Sequence, residues 1–131
     1  MLQPALLPLV GNRWTPFVYS IDVVGIDLSD AAFKAQVRLG PGTPGTPLVD
    51  LANATAGTQG ISVTVATVGG VTTSTVTMRI NEPVMEGLPA KPGAELGDDA
   101  VLFWDLHVTA QGLSKAVYFR GPFIVKNGAT Q

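Results

Sequence analysis

The segment Ile61–Ile80 restricts the fold of this chain more than any other part of the sequence. It consists of two runs rich in Val, Ile and Thr, ISVTVATV and VTTSTVTMRI, joined by Gly69-Gly70. β-Branched side chains favour strands over helices. A two-residue Gly-Gly link fits the primed turns that the twist of a hairpin requires. The segment therefore predicts an antiparallel hairpin in which Ile61–Val68 pairs with Val71–Ile80.

Similar short runs continue on both sides of the hairpin, separated by Gly, Pro and Asp. Strands at this spacing are typical of a sandwich or barrel, and long loops at Gly40–Pro47 and Pro89–Asp99 favour the sandwich. We therefore predict an all-β chain that forms a single antiparallel β-sandwich, immunoglobulin-like or jelly-roll-like, with one short helical turn near 82–88. The predicted strands are Pro16–Val24, Ala31–Leu39, Leu48–Leu51, Ile61–Val68, Val71–Ile80, Ala100–Thr109, Ser114–Arg120 and Phe123–Lys126.

The alternation of apolar and polar residues predicts which side chains face the core, because successive side chains of a strand point to opposite faces. In Ala31–Leu39 the inward set is Phe33, Ala35, Val37 and Leu39. In Ala100–Thr109 the inward set is Leu102, Trp104, Leu106 and Val108, and the outward set is Phe103, Asp105 and His107.

The composition argues against several classes of function. Charged residues are only 14% of the chain, against roughly 25% in ordinary globular domains. Either uncharged polar side chains cover the surface, or part of it is buried against other subunits; we favour a homo-oligomer, because large apolar patches usually mark interaction sites. The Lys and Arg residues are scattered, which argues against nucleic-acid binding. The absence of cysteine excludes disulfides and thiolate chemistry.

The first ten residues, MLQPALLPLV, are apolar and contain two prolines. The run is too short to span a bilayer and lacks the features of a signal peptide, so we expect no membrane insertion. Proline at this spacing favours an extended segment. We predict an extended arm over residues 1–13, a sandwich domain over 14–131, and docking of Met1–Val10 on another subunit. The interaction candidates in the arm are Leu2, Leu6, Leu7, Leu9 and Val10.

Residues that could carry chemistry are few. His107 could pair with Asp105, but a hydrolytic triad also needs a positioned nucleophile and an oxyanion hole, so we predict a surface or interface histidine. Acidic residues such as the Asp98-Asp99 pair could bind calcium through oxygen atoms, but no alternating-acid loop is present and a solvated turn is the favoured interpretation. We predict no catalytic residue, no cofactor and no metal site. Phe103 and Tyr118 are the aromatic side chains expected to make exposed contacts.

Five segments in this order resemble the pattern of one family. Ile26-Asp27-Leu28-Ser29 precedes the strand Ala32–Arg38, which contains a Gln-Val-Arg run. Arg79–Pro89 ends in Leu-Pro and precedes Phe103–Thr109, and Arg120–Val125 closes the domain. This pattern resembles the small β-sandwich domains of tailed-bacteriophage virions, and it is similar to the N-terminal domain of phage baseplate upper proteins.

The resemblance implies a non-enzymatic structural protein that needs no cofactor. Its expected place is the tail tip or baseplate of a virion assembled in the host cytoplasm, with other virion proteins and copies of itself as partners. A carbohydrate-binding or adhesin-type sandwich is the alternative, with Phe103, Tyr118 and the Asp98-Asp99 loop as its site. An enzyme built on a β-sandwich is the third and least favoured hypothesis.

Overall fold

The computed structural model describes residues 5–40, 45–89, 99–110 and 114–126. Within these ranges the chain forms nine strands and one short helix. In chain order they are β1 (Ala5–Leu6), β2 (Leu9–Asn12), β3 (Phe17–Val24), β4 (Ala32–Arg38), β5 (Val49–Ala52), β6 (Gly60–Val68), β7 (Val71–Ile80), α1 (Glu82–Glu86), β8 (Ala100–Thr109) and β9 (Ala116–Lys126).

The strands form two sheets that pack face to face, which confirms the predicted β-sandwich. The large sheet has the order β1-β9-β8-β4-β5, with β2 also paired to β9, and the small sheet has the order β3-β7-β6. All pairs are antiparallel except β1–β9 and β2–β9, which are parallel. The rings of Phe17 on β3 and Phe123 on β9 meet edge to face across the core, with centroids 5.0 Å apart.

The hairpin that the sequence predicts is present, with β6 and β7 paired antiparallel. Val68 is the partner of Val71 at the turn, and the pairing continues to Gly60 and Arg79. Gly69 and Gly70 have φ values of 58° and 80°. Positive φ at both central positions is the signature of a type I′ turn, which glycine adopts without a steric penalty.

Replacing both Gly69 and Gly70 by Val is expected to destabilise the protein by about 2–4 kcal/mol, because left-handed backbone costs an L-residue roughly 1–2 kcal/mol per position. A Cβ at either position would meet no atom within 4 Å, so the change tests the backbone alone. Chemical denaturation measures the effect. Gly69→Asn is the control and should stay close to the wild type, since Asn-Gly is a preferred type I′ pair. A double Val variant as stable as the wild type would contradict the turn assignment.

The predicted helical turn is also present, as α1. Asn81 precedes it in extended conformation, but its side chain makes no capping hydrogen bond; instead Asn81 Oδ1 accepts from Arg79 Nε at 3.0 Å. At the other end, the Nη1 group of buried Arg13 donates to the carbonyl oxygens of Leu88 at 2.5 Å and Glu86 at 3.2 Å. This buried cation caps the C-terminus of the helix, which leaves carbonyls unpaired.

Predictions of which side chains face the core hold along β8 and in most of β4. Trp104 is 4% exposed, and Phe33, Ala35 and Val37 are buried. Leu39 was expected to face the core and is exposed instead. Strand β4 ends at Arg38, so the alternation no longer applies one residue later.

Strand β9 corrects the prediction of two strands separated by a bend at Gly121-Pro122. The strand runs unbroken through both residues. The carbonyl of Arg120 accepts from Leu7 N–H, so Pro122, two residues on, directs its nitrogen toward the same neighbour. The N-terminal segment opposite Pro122 lies in the interval between β1 and β2 and belongs to neither strand. The N–H that proline lacks therefore removes no ladder bond, and an interior strand can carry it.

Residues 5–13 correct the prediction of an arm that docks on another subunit. They are extended as predicted, but β1 and β2 pair with β9 of the same chain. The side chain of Leu9 is 2% exposed within the core. A Cβ at Gly121 would lie 2.6 Å from the Leu7 carbonyl oxygen, so glycine at 121 permits this close approach. The described part of the predicted arm is thus an edge of the large sheet.

Candidate interaction surface

The outer face of the large sheet carries a contiguous group of apolar side chains beside β9. Val10 on β2, Ile124 on β9 and Val101 on β8 are register partners, so they form one row across the three strands. Pro122 and Phe103 are partners in the next row. We call this group the outer patch; it consists of Leu6, Val10, Val101, Phe103, Pro122 and Ile124.

The outer patch is accessible to a partner. Leu6 is 75% exposed, and Val10 and Val101 are also exposed. Phe103, Pro122 and Ile124 are half-buried. Exposed apolar side chains that lie together, rather than singly, are typical of interaction sites.

A surface cleft adjoins the outer patch. Its volume is about 430 Å³, within the roughly 300–1,000 Å³ typical of ligand sites. Leu6, Phe103 and Pro122 form its apolar side. Its polar side is formed by Gln36, Arg38, Asp105 and Arg120.

The polar side of the cleft is built from cross-strand neighbours. Asp50, Gln36, Asp105 and Arg120 lie in register across β5, β4, β8 and β9. Gln36 Nε2 donates to Asp50 Oδ1 at 3.4 Å, and Gln36 Oε1 accepts from Arg38 Nη2 at 3.0 Å. Arg38 Nη1 also donates to the carbonyl of Gly45 at 2.6 Å. These contacts hold the Arg38 guanidinium in place, while Arg120 is exposed at the other side.

His107 and Asp105 form the pair that their spacing predicted. His107 Nε2 and Asp105 Oδ2 are 3.2 Å apart. Nucleophilic catalysis would need a hydroxyl or thiol within hydrogen-bond reach of the histidine. The cross-strand neighbours of His107 are Lys34 and Val117, and the residue is half-buried.

Asp99, considered as a calcium ligand, and Asp27 both accept hydrogen bonds within the chain. Asp99 accepts from Lys126 Nζ at 2.9 Å; Asp98 lies outside the described residues. Asp27 Oδ1 accepts from the side chain and the backbone N–H of Ser29, at 2.6 and 2.9 Å, and these hydrogen bonds lower the pKa of the Asp27 carboxyl. Among the residues that the structure describes, no group of three or more acidic or histidine side chains is placed to hold a metal ion.

Three of the interaction candidates predicted from the sequence meet on one surface. Leu6, Val10 and Phe103 are all members of the outer patch, although they come from three different strands. Two further candidates differ from the prediction: Leu9 is buried in the core, and Leu7 is half-buried. Leu9 is buried because successive side chains of β2 point to opposite faces. Leu7 is half-buried because it lies in close contact with β9.

Tyr118 does not join Phe103. It lies at the irregularity of the β8–β9 ladder, where Phe119 pairs with Leu106 and Val117 with His107, and it packs against the core. Tyr118, expected as an exposed contact, is thus half-buried and lies apart from Phe103, whose partner on β9 is Pro122. Leu2, the remaining candidate, lies outside the described residues.

Sequence reasoning missed half of the outer patch. Val101, Pro122 and Ile124 were not proposed as contacts, and neither was Arg120 in the cleft. The missing signal was the continuity of β9. Once Arg120–Lys126 is taken as one strand, its alternation puts Arg120, Pro122 and Ile124 on the outer face.

The comparison with protein-family models gives no match, and neither does the comparison with curated proteins. In the part of the chain that the structure describes, no helix is long and apolar enough to cross a membrane. The fold and the surface together define an all-β sandwich with an apolar outer patch and an adjoining polar cleft.

Proposed function

We propose that this chain is a non-enzymatic structural protein of a tailed-bacteriophage virion, an adaptor of the tail tip or baseplate that binds a neighbouring virion protein. The observation that carries the proposal is the outer patch, which combines exposed apolar side chains with a polar rim. Interfaces between proteins have this organisation, with an apolar centre and polar groups around it. The patch lies on hydrogen-bonded neighbouring strands, with β9 paired to β1, β2 and β8.

The segments behind the family resemblance give a second line of support. Ala32–Arg38 forms β4, the part 79–89 contains the end of β7 and α1, and the two closing segments lie on the paired strands β8 and β9. The order of turn, strand, helical turn and closing strands is the order on which the resemblance rests. The resemblance supports a virion role, and the outer patch supports assembly through this face.

Phe103 is the residue expected to contribute most to binding. It is an aromatic side chain that lines the cleft together with Arg38, its partner on β4, and Arg120, and aromatic and Arg residues dominate the energetics of protein interfaces. Phe103→Asp puts a carboxylate into this position. We expect incorporation of the variant into purified virions to fall at least about tenfold, since truncated hot-spot residues typically cost about 2 kcal/mol or more.

The test measures the protein by quantitative mass spectrometry in purified tailed particles from cells that express wild type or variant. Leu6→Asp should reduce incorporation in the same way. Thr64→Asp is the matched control, since Thr64 is exposed on the small sheet and should not change incorporation. Particles that contain Phe103→Asp at the wild-type level would refute the role of the outer patch, and particles without wild-type protein would refute the virion role.

The cleft favours a second candidate function, that of a carbohydrate-binding or adhesin-type sandwich. One aromatic ring beside Gln36, Asp105 and Arg120 provides an apolar surface with polar groups that could fix the orientation of a sugar. A glycan array tests this function. Binding that Phe103→Ala abolishes, in a variant that is still incorporated into virions, would favour recognition of a host glycan.

A further inference from the structure

Strand β3 forms an edge of the small sheet. It pairs with β7 over its whole length, from Phe17 with Ile80 to Val24 with Thr73, without a bulge. No other described strand pairs with it. Proteins usually protect such edges with Lys, Pro, bulges or very short strands, because an open edge invites pairing with another chain. The sequence of β3, FVYSIDVV, contains only one charged residue, Asp22.

The hydrogen-bond pattern shows which backbone groups face the open edge. The N–H of Gly25 donates to the Thr72 carbonyl at 2.6 Å, which makes these residues a bonded pair of the antiparallel ladder. Bonded and non-bonded pairs alternate, so the odd-numbered residues of β3 bond to β7. The residues whose N–H and C=O groups point to the open edge are Val18, Ser20, Asp22 and Val24.

The opposite edge of the small sheet is partly occupied, in contrast to β3. There the N–H of Ala54 donates to the carbonyl of Ile61 at 2.9 Å, so the connection after β5 covers the beginning of β6. On β3, Val18 is 53% exposed and Val24 is 65% exposed. Within the described ranges, the β3 edge thus combines backbone groups that lack a strand partner with exposed apolar side chains, which points to pairing with another strand.

We propose that β3 pairs antiparallel with β3 of a second copy of this chain, about a two-fold axis at Ile21. In this register Val18 lies opposite Val24 of the second copy, and Ser20 lies opposite Asp22 of the second copy. The pairing joins the two small sheets into one continuous sheet with the order β6-β7-β3-β3-β7-β6. A two-fold contact of this kind is self-complementary, as isologous interfaces are.

The side chains select this register over its neighbours. Asp22 Oδ1 accepts from Thr75 at 2.8 Å, and Ser20 Oγ lies 2.8 Å from Thr77 Oγ1, from which it can accept. The hydroxyl of Ser20 in the second copy can then donate to Asp22 Oδ2. An axis at Asp22 would place the two Asp22 carboxylates opposite each other, and an axis at Ser20 would place Val18 opposite a carboxylate. Like charges directly opposite are destabilising, and apolar or hydrogen-bonded pairs stabilise a ladder. Of these three registers, only the axis at Ile21 gives matched pairs throughout.

The inference does not rest on the proposed function, because β3 belongs to the small sheet and the outer patch to the large one. Its first test is the mass of the full chain by multi-angle light scattering, which should be twice the 13.6 kDa of one chain. Ser20→Pro removes an N–H that faces the open edge, and proline is tolerated at such edge positions. The dimer dissociation constant should rise at least tenfold, while circular dichroism remains that of a folded sandwich.

Val65→Pro is the matched control, because the alternation that begins at Ile61 also directs the Val65 N–H to an open edge, that of β6. This variant should remain dimeric. Two further variants test the register: Ser20→Asp places a carboxylate opposite Asp22 of the second copy and should weaken the dimer, whereas Ser20→Lys should strengthen it. A monomeric wild type, or a dimer that Ser20→Pro and Ser20→Asp leave unchanged, would overturn the proposal.

Disulfide cross-linking tests the same register directly. Because the natural chain has no cysteine, only introduced cysteines can form the bond. In a Val18→Cys/Val24→Cys variant the two positions face each other across the axis, with Cα atoms about 5.5 Å apart, within the range for a disulfide. Within one chain the extended strand separates them by about 20 Å, so only a dimer can form the bond. Mild oxidation should give covalent dimers. The off-register control is Val18→Cys/Ser20→Cys, which should form few covalent dimers. Equal yields of covalent dimer from both variants would contradict the register.

Discussion

Replacement of Trp104 by Ala is expected to lower the free energy of unfolding by about 3–5 kcal/mol. The ring is buried on the inner face of the large sheet, and its Nε1–H donates to the carbonyl oxygen of Leu7 at 2.9 Å. The variant therefore opens a cavity and also removes the donor that satisfies this carbonyl. Urea denaturation of the full chain measures the loss.

Two matched variants separate these contributions. Trp104→Phe keeps a large ring but removes the N–H donor, and it should cost about 1–3 kcal/mol, the usual penalty for an unsatisfied buried group. His107→Ala changes an outward position of the same strand and should stay within about ±0.5 kcal/mol. If His107→Ala proves more destabilising than Trp104→Ala, the assignment of the two faces of β8 is inverted.

Deletion of residues 1–10 is expected to destabilise the sandwich by more than the about 2–5 kcal/mol that a single buried Leu→Ala replacement costs. The deletion removes Leu9 from the core and the Leu7 carbonyl from Trp104, and it leaves β9 with an unpaired edge. Thermal and chemical denaturation measure the change. This outcome differs from the sequence-based expectation of an arm whose loss weakens only the association between subunits.

Single replacements within the same segment give the control. Leu9→Ala should cost about 2–5 kcal/mol, whereas Leu6→Ala, at a 75% exposed position, should stay within about ±0.5 kcal/mol. A truncated protein as stable as the full chain would show that β1 and β2 contribute nothing to the fold in solution.

The parts of the fold that could be predicted from the sequence are those with local signals. The Gly69-Gly70 turn fixes the register of the hairpin, and alternation along β8 identifies Trp104 as a core residue. Neither inference needs knowledge of a distant partner, because turn geometry and the direction of side chains in a strand are set by neighbouring residues.

The parts that could not be predicted depend on distant pairings. A parallel partner gives no turn signal, so nothing in the first residues indicates that they lie beside β9. The outer patch was recognised only in part for the same reason: Leu6 and Phe103 meet because β1 and β8 both flank β9. Arg13 was unremarkable in the sequence, and only the position of α1 makes it a buried cap.

The parallel pairing of the first strands with the last one has a consequence for how the chain folds. Trp104 and the Leu7 carbonyl that it contacts are 97 positions apart, and β9 ends at Lys126. At ribosomal rates of about 5–20 residues per second, many seconds pass between the synthesis of β1 and β2 and the synthesis of β9, with which they pair. Such non-local contacts slow folding, since the entropy of loop closure must be overcome first. Strands β1 and β2 therefore remain without their partner until β9 has been made, and during that interval their apolar side chains are exposed to aggregation or to capture by a chaperone.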